Sequence, residues 1–112
     1  MEIEKFVHLN KLYMVYKNLL TDKQREILAY FLDEDFSLGE ISEEIGISRQ
    51  AVHDTVKRSE QILSDYEKKL GMLHKEEFVA RKANDMLKLV IANKQLDQAT
   101  REKMISICKE LI

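Results

Sequence analysis

The sequence predicts an all-α protein, on three observations. Proline is absent from the 112 residues and glycine occurs three times, while Leu, Ile, Lys and Glu are abundant, a composition that helices accept at little cost. Apolar residues recur at spacings of three and four along most of the chain. Four of the stripes are preceded by Ser, Thr or Asp placed as a helix cap. The length is that of one domain. It is expected to run over 1–112 as an N-terminal helix (1–20), a helix-turn-helix unit (21–70) and a C-terminal helical hairpin (71–112).

The first helix is predicted over residues 2 to about 18. Phe6, Leu9, Tyr13, Tyr16 and Leu20 form its core-facing stripe, with Leu12 and Leu19 alongside. Ile3, Val7, Met14 and Val15 spread around the rest of the cylinder, and this excess is expected either under the C-terminal helices or against a second subunit. Lys17 and Asn18 end the helix. Thr21 and Gln24 then form a capping box for a second helix, predicted from Thr21 to about Asp33, whose inner face is Ile27, Leu28, Phe31 and Leu32. Asp33, Glu34 and Asp35 make an acidic link. They lack the ligand spacing and the glycine of a calcium loop, so the link reads as a solvated connection.

Ser37 to Leu70 reads as two helices joined by a tight turn. Ser37 and Glu40 form a capping box, flanked by Phe36 and Ile41 as a hydrophobic staple. Ile41 and Ile45 face inward, Glu40, Glu43 and Glu44 outward, and Ser42 is small enough to admit a second helix. Gly46 stops this helix, where a residue tolerant of positive φ is needed, and Ile47 pins the turn. Ser48 caps the next helix, with Ile47 and Val52 as its staple. Val52, Val56, Leu63, Tyr66 and Leu70 keep one face apolar until Gly71, and Lys68 and Lys69 suit the negative end of the helix dipole. This order of small residue, apolar residue, Gly, apolar residue and Ser, with Val four residues on, is that of a helix-turn-helix.

After Gly71 a helix is predicted over 75 to about 93, with Val79, Ala83, Met86, Leu87 and Val90 inward. Asp97 caps a last helix marked by Met104, Ile105, Cys108, Leu111 and Ile112. The two form the hairpin. The lone Cys108, on an apolar face, points to a buried thiol in a reducing, cytoplasmic setting. The first ten residues lack the basic start and apolar block of a signal peptide, and no apolar run reaches the ~20 residues of a membrane span.

Leu19, Leu20, Thr21, Asp22, Lys23 and Gln24, then Ser48, Arg49, Gln50, Ala51 and Val52, followed by Asp54, Lys57 and Arg58, carry a family resemblance. Over roughly its first two thirds the chain is similar to region 4 of bacterial sigma factors, of the winged-helix-like superfamily. It more closely resembles the YlxM-like family of small helix-turn-helix proteins, whose genes tend to sit beside those of the signal recognition particle. The resemblance implies DNA binding. Arg49 falls where sigma factors touch DNA, and Gln50 replaces an acidic reader. Ala51, His53 and Asp54 stand where sigma factors have Arg, Arg and Gln, so two cations are lost and an anion gained. That anion repels phosphate unless it accepts from a cytosine amino group or pairs with Lys57 or Arg58.

The candidate DNA-binding residues are Arg49, Gln50, His53, Lys57 and Arg58, on one arc of the helix opposite Val52 and Val56. Arg49 and Gln50 are either base readers or solvated residues at a helix start. Charge argues the other way, because residues 21–70 carry seven Lys and Arg against twelve Asp and Glu, and residues 71–112 carry eight against six. A duplex-binding surface is ordinarily basic. His8, His53 and His74 are too dispersed for a metal site, and no nucleophile, phosphate-loop or dinucleotide motif occurs. Neither catalysis, metal nor cofactor is expected.

Two function classes stay open. One is a regulator that reads duplex DNA, a homodimer whose recognition helices reach successive turns of the duplex, tied through the resemblance to signal recognition particle genes. The other is an acidic interaction module that keeps the helix-turn-helix as a scaffold for a basic partner. The resemblance places that partner among signal recognition particle components.

Overall fold

The computed structural model describes residues 2–112, and those residues fold into six α-helices: α1 (Ile3–Tyr16), α2 (Asp22–Leu32), α3 (Leu38–Ile45), α4 (Arg49–Leu70), α5 (Met72–Ala92) and α6 (Gln98–Glu110). A 3₁₀ turn, Lys17–Leu19, closes α1. The all-α prediction holds. Two compact units are formed, one ending at Gly71 and one comprising residues 72–112.

In the first unit α4 is the central element, and α1, α2 and α3 each pack against it. The stripe on α1 behaves largely as its spacing requires: Leu9, Leu12, Tyr13, Tyr16 and Leu20 are buried. Ile27 and Leu28 of α2, Ile41 of α3, and Val52, Val56 and Leu63 of α4 are buried with them, around α4. Aromatic rings link the helices. Phe6 meets Phe31 with ring centroids 5.8 Å apart, and Tyr16 stacks on Tyr66 at 5.9 Å. The Tyr16 hydroxyl donates to Glu67 Oε1 at 2.6 Å, which fixes the end of α1 against the last turns of α4.

The caps form where the sequence places them. Thr21 and Gln24 complete a capping box, as do Ser37 and Glu40. Between α2 and α3, Asp35 takes a positive φ of 56°, a conformation that Asp tolerates better than most residues. Phe36, expected as a staple, stacks its ring on Tyr30 with centroids 5.0 Å apart.

Three predicted inward positions need correction. Leu19 and Leu70 lie on predicted apolar faces but are exposed. Periodicity fixes the direction in which a residue points, but not whether a neighbouring helix reaches that far. Of the excess residues, Ile3, Val7 and Met14 are exposed in the single chain. Met86 is exposed as well, while Leu73, outside the predicted inward set, is buried.

In the second unit α5 and α6 pack together through Ala83, Val90 and Cys108, all buried. Helix α5 begins at Met72 rather than at 75. Gly71 is a single left-handed residue (φ 61°), and the helical path resumes immediately after it. Asp97 caps α6 by accepting from the Thr100 amide at 2.7 Å. Arg101 reaches back from α6 to donate to the carbonyl oxygens of Ile91 and Asn93, so it satisfies the end of α5. Leu111 and Ile112 are exposed.

Candidate nucleic-acid interface

The turn that aims α4 is built from three local devices. Gly46 sits at φ 81°, ψ 32°, the left-handed conformation that ends α3. Ser42, expected only to make room, has its hydroxyl donate to the Ile47 carbonyl at 2.5 Å and so ties α3 to the turn. Ser48 Oγ accepts from the Ala51 amide at 3.0 Å, which caps one of the free amides at the start of α4.

From this start α4 divides cleanly. Val52, Val56, Ser59 and Leu63 are buried on one side. Arg49, Gln50, His53, Lys57 and Arg58 are all exposed. At about 100° per residue, Arg49, His53 and Lys57 form one row and Gln50, Asp54 and Arg58 the next. The five predicted residues thus share one solvent-facing arc about two and a half turns long.

Asp54 lies within that arc. It pairs with neither Lys57 nor Arg58. Gln50 Nε2 donates to Asp54 Oδ1 at 2.9 Å, and His53 Nδ1 lies 3.4 Å from the same oxygen. Two of the five candidate readers are therefore held by an acidic neighbour. Lys57 Nζ stands 3.7 Å from Glu60 Oε2, an ion-pair distance too long for a hydrogen bond. Among the described residues Arg49 and Arg58 make neither a side-chain hydrogen bond nor an ion pair, which leaves both guanidinium groups to solvent.

A cleft of about 190 Å³ opens beside this arc, between α1 and α4, lined by Lys5, His8, Leu9, Leu12, Lys57, Glu60 and Ser64. Sequence reasoning did not connect these groups, since Lys5 and Lys57 stand far apart in the chain and no local signal joins them. Glu60 Oε2 is buried and accepts no hydrogen bond, although the Glu60 side chain as a whole is about one-third exposed.

On α3, Glu43 and Glu44 are exposed, as expected for a solvated face. The Glu40 carboxyl is held below the usual carboxylate range by the Ser37 amide and then by the Ser37 hydroxyl. Among the described residues no group of three or more His, Cys, Asp and Glu is placed to hold a metal. Among the described residues no helix is long and apolar enough to cross a membrane.

Residues 3–107 match the model of the UPF0122 family, described as "Putative helix-turn-helix protein, YlxM / p13 like". A UPF0122 protein of Halalkalibacterium halodurans is 40% identical over 110 residues, covering 97% of this chain and 95% of that protein. UPF0122 proteins of Streptococcus gordonii and Streptococcus pneumoniae are each 54% identical over 72 residues, covering 64% of this chain and 66% of theirs.

Proposed function

We propose that this chain, which belongs to the UPF0122 family of YlxM / p13-like helix-turn-helix proteins, binds duplex DNA by laying the start of α4 in the major groove. The observation that carries this reading is the division of α4. Val52 and Val56 are buried and anchor the helix, while Arg49, Gln50, His53, Lys57 and Arg58 are exposed together on the opposite arc. A helix about 10–12 Å across fills a groove about 12 Å wide, so residues at its leading end meet base edges and those on its flanks meet phosphate.

The roles follow from the chemistry. The Arg49 guanidinium has the donor fork that guanine O6 and N7 accept, and it pairs equally well with a phosphate. The Gln50 amide suits adenine N6 and N7 once it leaves Asp54. Lys57 and Arg58 hold phosphates, and His53 reaches base or backbone. A homodimer would place two copies of α4 one helical turn of DNA apart, about 34 Å, on a two-fold site. By the family resemblance the regulated genes are those of the signal recognition particle, and the protein works in the cytoplasm.

A second reading is favoured by one specific observation, the twelve Asp and Glu against seven Lys and Arg in residues 21–70. An acidic surface centred on Glu43 and Glu44 fits a basic protein of the signal recognition particle better than it fits DNA.

Fluorescence anisotropy of labelled duplexes, random pools and the gene's own upstream region, titrated at several salt concentrations, separates the two. The DNA reading expects saturable binding that weakens with salt and falls about tenfold or more in Arg49→Ala. It fails if the wild-type chain binds no duplex at low salt, where phosphate attraction is strongest. The adaptor reading expects partner binding that is lost on charge reversal at Glu43 and Glu44 and kept in Arg49→Ala.

A further inference from the structure

We infer that the cleft between α1 and α4 is a second DNA contact, in which Lys5 of α1 joins Lys57 of α4 in holding a phosphate, with Glu60 as a built-in competitor for Lys57. The inference rests on the duplex-binding reading above and extends it to a helix outside the helix-turn-helix.

The geometry points there in three steps. Arg49, His53 and Lys57 form a single row at successive turns of α4, spanning about 12 Å along its axis. The row begins at the groove-facing end of the helix and runs into the cleft, because Lys57 belongs to both. As that row leaves the groove it meets the sugar-phosphate wall rather than base edges, and a phosphate is the ligand a lysine there is suited to hold.

The cleft adds cationic and polar chemistry that α4 does not supply. Lys5 and His8 come from α1, and both are exposed. Among the described residues neither has an ion-pair partner. Leu9 and Leu12, buried at the back of the cleft, fix α1 against α4 and so set the place of Lys5. Lys5 is thereby positioned by core packing, and ordering it against phosphate costs less than ordering a lysine on a loop.

Glu60 works in the opposite sense. Its Oε2 is buried without a hydrogen-bond donor, and Lys57 Nζ lies 3.7 Å away. In the absence of DNA, Glu60 draws Lys57 along the cleft. When a phosphate arrives, the two anions compete for one ammonium, and Lys5 supplies the second cation that lets the phosphate hold its place.

Anisotropy titrations of the full-length chain on one labelled duplex, across a salt series, test this with Lys5→Ala, Glu60→Gln and Arg49→Ala beside the wild type. Lys5→Ala is expected to weaken binding severalfold and to lower the slope of log affinity against log salt by about 0.9, one phosphate's worth. Glu60→Gln is expected to tighten binding severalfold at low salt. Circular dichroism of each variant confirms the fold, which an exposed Lys5 does not support. Unchanged affinity and slope in Lys5→Ala, with wild-type binding still dependent on Arg49, overturn the cleft contact alone. Weaker binding in Glu60→Gln overturns the competitor role. A wild-type chain that binds no duplex overturns the duplex reading and the cleft contact with it.

Discussion

Replacing Gly46 by Ala isolates the backbone cost of the turn that presents α4. A Cβ built at Gly46 meets no atom within 4 Å, so the substitution creates no steric clash. The cost is conformational: at φ 81° an L side chain sits in the left-handed region, unfavourable by about 1–2 kcal/mol. Ala also restricts the unfolded chain, which returns about 0.4–1 kcal/mol. The net expectation is a loss of about 1 kcal/mol.

Gly39 is the internal control. It lies in the first turn of α3, and a Cβ there would stand 3.9 Å from Ser37 Oγ, an ordinary contact. Gly39→Ala is expected to gain about 0.5 kcal/mol, at the low end of the helical Gly-to-Ala difference. Urea unfolding followed by far-UV circular dichroism reads both. With a dependence of about 2 kcal/mol per M, the two midpoints should differ by about 0.7 M, with wild type between them. Gly46→Asn should lose less than Gly46→Ala, because Asn tolerates the left-handed region. The reasoning fails if Gly46→Ala matches or exceeds wild type, or if Asn costs as much as Ala.

Leu63 is 0% exposed in the core of the first unit, so Leu63→Ala is expected to cost about 3 kcal/mol in urea unfolding, whereas Leu70→Ala, at an exposed position, should stay within about 0.5 kcal/mol. Amide hydrogen bonds at the helix starts hold the Glu40 and Asp97 carboxyls below the usual carboxylate range. A depressed folded pKa gives stability that is present above the unfolded value and lost as pH falls through the folded one. Urea midpoints should therefore drop in acid, and Glu40→Gln, which keeps the capping box but cannot titrate, should flatten part of that drop. Asp54→Asn removes an anion from the α4 arc, and at roughly 7 Å in water a unit charge acts on a phosphate with about 0.6 kcal/mol. Duplex affinity should rise about threefold, and a fall in affinity would mean that Asp54 accepts from a base.

Local signals were the legible part of this fold. The capping residues Thr21, Ser37, Ser48 and Asp97 each bond an amide three residues on, a distance that sequence spacing encodes directly. Gly46 and Gly71 were legible for the same reason, since their conformation is a property of one residue. What was hidden depends on groups brought together by packing. Arg101 caps α5 from eight or more residues away, and nothing in its neighbours marks it. The start of α5 at Met72 carries no Ser, Thr, Asp or Asn signal, so it read three residues late. In the candidate site the exposed arc followed from the helical period, whereas Asp54's choice of Gln50 and His53 over Lys57 and Arg58 is a matter of rotamers. The cleft was invisible because α1 contributes half of it.

Under the duplex-binding proposal, the acidic balance of residues 21–70 bears on the kind of binding expected. Exposed charges farther apart than about 8–10 Å are largely screened at moderate salt, so the carboxylates of α2 and α3 act on long-range attraction mainly at low salt. They weaken sequence-independent encounter, which depends on the summed field. Contacts at the start of α4 act at hydrogen-bond range and are spared. The proposed interface has few cations to meet phosphate: the exposed Arg49, Lys57 and Arg58 on α4, and Lys5 beside them. At about 0.9 per neutralised phosphate, four contacts give a slope of log affinity against log salt near −3 to −4 per subunit. A slope twice as steep for a monomer would require cations elsewhere in the chain to carry the interface. A slope near zero would remove phosphate contact altogether and leave the acidic surface as the functional face.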